Sequence, residues 1–319
     1  MRLTPWRKQQ KSADAELSEL SSGVASAFAR GKPSEAQALA RAVMDAHADA
    51  GPGDDLYLTA WTSWANALGH TGQHAAAARE YTTMIDTVGP VIGHDHARVL
   101  IWHFSRAGSL DCLARYEEAE SDCRAAMEIS ATVQPASYGV ALRIMATNHL
   151  ITALLGQGMS GEAESLARAA IAEAVASKVI SARVVVALRR SLAGCLNAQE
   201  RYAEAEEIMR AMEPERPGDI ARVRLPLGTA QLGLGQAAEA EASAREAVRS
   251  AGSVNGPHHY LTLRAGTLLG AAVARQGNLD EARRLLEVNA AAWAEHFGSA
   301  HPKTIDAQRE LAKTYDASP

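Results

Sequence analysis

Apolar side chains recur along this 319-residue chain with the three- to four-residue spacing of amphipathic helices. Within that pattern an alanine returns at a nearly fixed interval, and in six of seven cases it directly follows a glutamate. The intervals are 41, 42, 44, 42, 35 and 42 residues between Ala36, Ala77, Ala119, Ala163, Ala205, Ala240 and Ala282. A period of this size indicates a stacked repeat array, in which each unit buries its apolar face against its neighbours.

Each repeat has the pattern of a helix A, a short turn and a helix B. A glycine precedes the glutamate position by four residues in five repeats, and Ala114 and Glu200 replace it in the other two. These glycines are Gly31, Gly72, Gly158, Gly235 and Gly277. Glycine suits the left-handed residue that ends a helix, so helix A should end there. The repeated alanine then lies near the start of helix B, where it is small because the two helices cross.

Proline interrupts the short fifth interval. Pro226 lies where helix A of that repeat should run. Either this helix begins late, near Arg224, with Pro226 in its first turn, or it is kinked. We favour the late start. The final segment, from His301 to Tyr315, has the pattern of a single helix A and is expected to cap the array.

Composition excludes several classes of protein. Strict apolar–polar alternation of β-branched residues is missing, which predicts an all-α chain. The net charge of −5 argues against a nucleic-acid partner, and the excess of alanine and arginine suggests a bacterial source. The three cysteines suggest neither a disulfide framework nor a metal site.

Residues 1–11 are basic, without an apolar run behind them, and predict a disordered tail rather than a secretory signal. With no run of 18 apolar residues, we expect a cytoplasmic protein without a membrane span.

Motifs for catalysis are missing as well. The sequence contains no HExxH, no phosphate-binding loop with its lysine and no CxxC. Histidines at the starts of A helices, such as His96 and His259, are better explained as turn residues than as metal ligands. We therefore predict no catalytic residue, no metal and no cofactor. The remaining enzymatic alternative is a site built from His103, Asp111 and His149.

Helix A carries a large residue, then a small one, then another large one a turn later, as in Leu192-Ala193 before Leu196. With alanine near the start of helix B, this resembles the tetratricopeptide repeat family. Repeats near 42 residues, and His301-Pro302-Lys303-Thr304 opening the last helix, resemble its kinesin-light-chain type. The resemblance covers residues 12–317. It implies one domain over 12–319, a right-handed α-α superhelix (solenoid) of about seven helix-turn-helix repeats plus a C-terminal capping helix.

The resemblance also implies a concave groove lined by one face of the A helices. The positions 18, 15, 11 and 8 residues before each repeated alanine are expected on that face. Three asparagines fall there, although asparagine is unfavourable inside helices. Their amides could pair with the backbone of an extended peptide, or alternatively bond neighbouring helices. Three arginines in successive repeats could form a forked site for carboxylate or phosphate, or alternatively pair with acidic side chains. With Phe104, the predicted groove residues are Asn66, Phe104, Asn148, Arg190, Asn197, Arg222 and Arg264.

These features predict a non-enzymatic scaffold or adaptor that binds a peptide or protein segment, with acidic residues, in the groove. The alternative is a regulatory sensor domain that binds a small molecule or a short signalling peptide. Only about eleven residues precede the first helix, too few for a DNA-binding helix-turn-helix, so such a sensor would act through a protein partner. The alanine-rich last repeat is a candidate surface for a homodimer.

Overall fold

The computed structural model describes residues 19–49, 53–177, 180–214 and 217–316. Contacts within the chain divide it into two compact units, Met1–His94 (unit 1) and Asp95–Pro319 (unit 2). Across the described ranges every regular element is helical, so the predicted all-α fold is confirmed. The single domain over 12–319 stays a prediction. The predicted tail at residues 1–11 lies outside the described residues.

Unit 1 contains two helix pairs. Its helices are α1 (residues 19–29 of the described part), α2 (Pro33–Ala46), α3 (Asp55–His70), α4 (His74–Thr83) and α5 (Gly89–Ile92). A π-helical turn, Met84–Val88, joins α4 to α5. Helix α3 packs between α2 and α4. The partly buried Trp64 of α3 packs against a buried cluster of α1 and α2 that includes the repeated Ala36.

Unit 2 contains five helix pairs and a last single helix. They are α6 (Ala97–Cys112), α7 (Tyr116–Ser130), α8 (Ala136–Gly156), α9 (Ser160–Ala176), α10 (Ala182–Ala198), α11 (Tyr202–Arg210), α12 (Pro217–Gly233), α13 (Ala237–Asn255), α14 (Tyr260–Arg275), α15 (Leu279–Phe297) and α16 (Pro302–Asp316). The even-numbered helices are the A helices. From α6 to α14, each packs on its own B helix and on the A helix of the next repeat. The predicted repeats and the predicted last helix are therefore both present.

The repeated alanines occupy the helix crossings. All seven of them are 0% exposed. The predicted turns have the expected conformation: the five glycines have φ between 69° and 84°, and Ala114 and Glu200 adopt φ of 58° and 60°. The turn geometry is thus the same in all seven repeats, although two of them place a side chain in a left-handed conformation that favours glycine.

The expected late start of the sixth A helix is wrong. Helix α12 begins at Pro217, and Pro226 lies inside it. Proline has no N–H, so the carbonyl of Arg222 lacks its helical donor. The helix continues because buried residues lie on both sides of the proline, among them Val223 and Leu227. Their burial offsets a cost of about 3 kcal/mol for an interior proline.

Helix α8 is the one described helix that is long and apolar enough to cross a membrane by length and composition alone. Its 21 residues contain an 18-residue window with a mean hydropathy of 1.2, and half of that window is buried in the protein. Helix α8 packs on α6, α7, α9 and α10. These contacts are those of a core helix within a repeat array.

Candidate functional site

The first and last A helices of unit 2 touch each other. Nε2–H of His301, just before α16, donates to the carbonyl oxygen of Cys112 at the end of α6, at 3.2 Å. The other ring nitrogen, Nδ1, accepts from the N–H of Lys303 and so caps α16. Residues 189 positions apart are thereby joined. The A helices α6 to α14 therefore curve around a common space, which we call the A-helix interior.

Arg190 and Arg222 lie on consecutive A helices, α10 and α12, and both are half-buried. Burial, and after it the positive charge of Arg222, lower the pKa of Arg190 to about 10. Burial likewise lowers the pKa of Arg222. Within the described part of the chain neither guanidinium forms an ion pair or hydrogen bond, and Nε of Arg190 is buried without a partner. The charge of Asp219 only partly opposes these shifts.

Arg264 of α14 is exposed, with its guanidinium carbon 5.7 Å from the centre of the Tyr260 ring. Burial raises the pKa of the Cys112 thiol to about 12, whereas Arg222 and Arg264 both lower it. Two of the three predicted arginines thus lower the pKa of one thiol of α6, that of Cys112, from across the A-helix interior. The positive charge of Arg222 also lowers the pKa of Arg190, as expected of two guanidinium groups that face a common anion site.

Each predicted asparagine bonds a neighbouring helix, the alternative that the sequence left open. In unit 1, Oδ1 of Asn66 accepts from the hydroxyl of Tyr81 at 2.8 Å. In unit 2, Oδ1 of Asn148 accepts from Ser191 at 2.9 Å. Nδ2 of Asn197 donates to the carbonyl of Pro226 at 2.9 Å, while its Oδ1 is buried without a partner. Binding of a peptide backbone by these amides stays a prediction.

Phe104 forms part of the wall between α6 and α8. It is 6% exposed, and its ring stacks on His149 with the centroids 5.8 Å apart. A Cβ at Gly108 would come within 3.0 Å of this imidazole, so glycine permits the close approach. Burial, followed by the charge of Arg222, lowers the pKa of His149 to about 4. A neutral imidazole therefore lines the interior beside Arg222, and Phe104 offers a ligand little surface.

Asp111 is the acidic residue of the same face of α6, seven residues after Phe104. It is 7% exposed, and its Oδ1 has no hydrogen-bond partner. Burial raises the pKa of this carboxyl well above its usual value. The sequence placed Asp111 on the groove face but assigned it only to the enzymatic alternative. Its lack of a partner could not be foreseen, because it depends on which side chains of other repeats reach it.

The histidines of the enzymatic alternative serve other contacts. Nδ1 of His103 lies 2.8 Å from Asp122, which also forms two hydrogen bonds with Arg106. Burial alone would raise the pKa of Asp122, but these hydrogen bonds lower it. His96 and His259 cap A helices by accepting a backbone N–H at 3.1 Å. Among the described residues no three His, Cys, Asp or Glu side chains are grouped as metal ligands.

Residues 219–288 match the tetratricopeptide repeat model, which confirms the resemblance to that family. No curated protein matches the chain. One similar solved structure is the Rap conjugation gene regulator of plasmid pLS20 in complex with the Phr* peptide. Its sequence is 10% identical to this one, the match covers 94% of this chain and 96% of the regulator's chain, and the TM-score is 0.57. NprR in complex with its cognate peptide NprX is 11% identical, and the match covers 98% of this chain and 86% of the NprR chain, with a TM-score of 0.57. TPR-like repeats of a putative kinesin light chain from Podosopora anserina are 22% identical, and the match covers 64% of this chain and 97% of theirs, with a TM-score of 0.44.

Proposed function

We propose that this chain is a non-enzymatic adaptor that binds a peptide or protein segment in the A-helix interior, with a carboxylate of the ligand held between Arg190 and Arg222. The observation that carries the proposal is the pair of half-buried guanidinium groups without an ionic partner in the described chain. Burying a cation is costly unless an anion accompanies it. A bound carboxylate would offset that cost and the repulsion between the two arginines.

The surroundings support a peptide as the carrier of this carboxylate. A guanidinium binds carboxylate with two parallel hydrogen bonds. Nearby, Nδ2 of Asn148 and Oδ1 of Asn197 have no partner among the described residues, so one donor and one acceptor remain for a ligand backbone. Two proteins with a similar fold have been solved as peptide complexes. The ligand is either the C-terminal carboxylate or an acidic side chain of such a peptide.

Variants of the arginine pair test the proposal. The immobilised full chain is incubated with a pool of mixed-sequence pentapeptides with free C-termini, and retained peptides are measured by mass spectrometry. The double variant Arg190→Ala, Arg222→Ala should retain about tenfold less or lower still, because each lost charge-assisted hydrogen bond contributes about 1.5–3 kcal/mol. Arg189→Ala is the matched control, since Arg189 is exposed on the same helix. Equal retention by the double variant and the control would contradict the proposal.

A regulatory sensor is the second candidate function. In this case a short signalling peptide or small molecule binds in the interior and changes the affinity for a protein partner. The contact between His301 and Cys112 favours this candidate, because it joins the start of the last A helix to the first A helix of unit 2 and so helps to enclose the interior in which a ligand would bind. One similar structure is a conjugation gene regulator in complex with the Phr* peptide, and another is NprR in complex with its cognate peptide NprX. A ligand that raises the melting temperature of the isolated chain supports the sensor. Binding only to long segments of other proteins supports the adaptor.

The remaining parts of the proposal concern the setting of the protein. The net charge of −5 suits a protein that has no nucleic-acid partner. We place it in the cytoplasm of a bacterium, as the composition suggested. Dimerisation through the last repeat is a separate proposal, which sedimentation of the full chain at several concentrations tests.

A further inference from the structure

We infer that Asp111 forms a second subsite in the A-helix interior, which binds a cationic group of the ligand, so that the preferred ligand is a dipolar peptide. The cation is the ammonium or guanidinium group of a basic side chain, or the free N-terminal ammonium. The inference rests on the proposed function. In the proposed function, Arg190 and Arg222 bind the negative charge of the ligand. The second subsite adds the requirement that the same ligand also carries a positive charge.

Asp111 is a buried carboxyl without a partner. It is 7% exposed, Oδ1 has no hydrogen bond, and within the described residues no lysine, arginine or histidine pairs with it. The other buried carboxylate of the described residues, Asp122, is satisfied by Arg106 and His103. An unpaired buried carboxylate costs stability. A binding partner from outside the chain gives this side chain a role that offsets the cost.

The neighbours of Asp111 come from its own repeat and from a distant one. Tyr260 of α14 and Tyr116 of α7 both have pKa values raised by burial and, in part, by the negative charge of Asp111. Asp111 therefore lies on the side of α6 that faces α14 across the A-helix interior. Both tyrosines remain neutral, and the faces of aromatic rings attract cations. Tyr260 already holds the guanidinium of Arg264 in this way.

The charges of the interior are separated. Arg222 and Arg264 act on Cys112, the residue after Asp111, yet neither forms an ion pair with the Asp111 carboxylate. Arg190 and Arg222 lie on other A helices, α10 and α12. A peptide with a carboxylate at the arginines and a cation at Asp111 would leave neither charge unpaired. An anion alone would satisfy only one of the two sites.

The binding test uses the full chain and four pools of pentapeptides with free C-terminal carboxylates. One position carries either lysine or the isosteric neutral norleucine, and the N-terminus is either free or acetylated. The wild-type chain should retain one cationic form about tenfold more strongly than its neutral counterpart. A preference for lysine over norleucine identifies a side chain as the source of the cation. A preference for the free over the acetylated N-terminus identifies the N-terminal ammonium. Asp111→Asn should remove the preference, and Asp280→Asn, which changes an exposed aspartate of the same unit, should keep it.

The outcomes separate this inference from the proposed function. If removing every carboxylate from the peptides, by C-terminal amidation and by Gln and Asn in place of Glu and Asp, leaves retention unchanged, the proposed function is wrong. If amidation reduces retention while the wild type shows no preference for the cation, or Asp111→Asn keeps the preference, the assignment of Asp111 is overturned and the arginine site stands.

Stability provides a readout that needs no ligand. Because the pKa of Asp111 is raised in the folded chain, its carboxylate destabilises the fold increasingly as pH rises from 3.8 through the raised value. Asp111→Asn should therefore have a higher melting temperature than wild type at pH 8, and the difference should shrink at pH 4. A variant that is no more stable at pH 8, or that fails to fold, means that the ligand-free protein already satisfies this carboxyl, which overturns the inference.

Discussion

At the scale of the residue, the turns within repeats show how backbone conformation selects side chains. All seven turns contain a residue with positive φ, and glycine occupies five of them. L-residues with a Cβ pay about 1 kcal/mol or more for this conformation. Ala114 and Glu200 adopt it nevertheless, because the burial of the two adjoining helices fixes the turn. These two positions are therefore strained, and each can be relieved by a single substitution.

Glu200→Gly should raise the free energy of unfolding by about 1 kcal/mol, since glycine adopts φ near 60° without a steric penalty. Urea denaturation followed by circular dichroism measures the change. Glu200→Ala is the control, because it removes the exposed carboxylate and keeps the strained conformation, so its stability should stay within about 0.5 kcal/mol of wild type. The explanation by strain is wrong if the two variants change stability equally.

At the scale of the element, a glutamate directly after the repeated alanine connects neighbouring repeats of unit 2. In four repeats it accepts hydrogen bonds from an arginine four residues later and from a glutamine at the turn of the next repeat. These glutamates are Glu120, Glu164, Glu206 and Glu241. No prediction from the sequence named these glutamates, although the Glu-Ala-Glu triplet is visible in all four repeats. The contacts join each B helix to the following helix pair.

Replacing Glu164 tests the strength of this connection. Its carboxylate accepts from Arg168, Gln199 and Arg201 and is only 13% exposed. Glu164→Ala should lower the free energy of unfolding by about 1–2 kcal/mol, since several charge-assisted hydrogen bonds are lost at a partly shielded site. Glu162→Ala is the control in the same turn, because that side chain is 53% exposed and its nearest cation is 4.0 Å away. Equal losses in the two variants would mean that the connection contributes nothing.

At the scale of the whole molecule, the sequence predicts contacts within and between neighbouring repeats, and it does not predict contacts between distant repeats. Repeats contact mainly their neighbours, so the spacing of alanines and glycines was enough to predict the helix crossings, the turns and the last helix. Contacts between distant repeats were not predictable. The bond between His301 and Cys112 depends on small rotations added over five repeats, and the course of α12 through Pro226 depends on burial by its neighbours. The groove residues were identified from the spacing, but their partners were not.

The account of the whole molecule depends on the A-helix interior binding a carboxylate. Arg190 and Arg222 are half-buried and have no ionic partner in the described residues, whereas many surface arginines of this chain pair with glutamate or aspartate. That contrast gives the pair a different role from the stabilising pairs on the outside. It also explains why an anionic ligand should stabilise the fold as it binds.

The most direct measurement is a competition between two pentapeptide pools for the full chain. The pools have matched mixed sequences, one with free C-terminal carboxylates and acidic side chains, the other with amidated C-termini and with Gln and Asn in place of Glu and Asp. Mass spectrometry counts the peptides retained. The account predicts that free acids are retained about tenfold more than amides, and that Arg190→Ala, Arg222→Ala removes the difference while Arg189→Ala keeps it. Equal retention of both pools by the wild-type chain would contradict it.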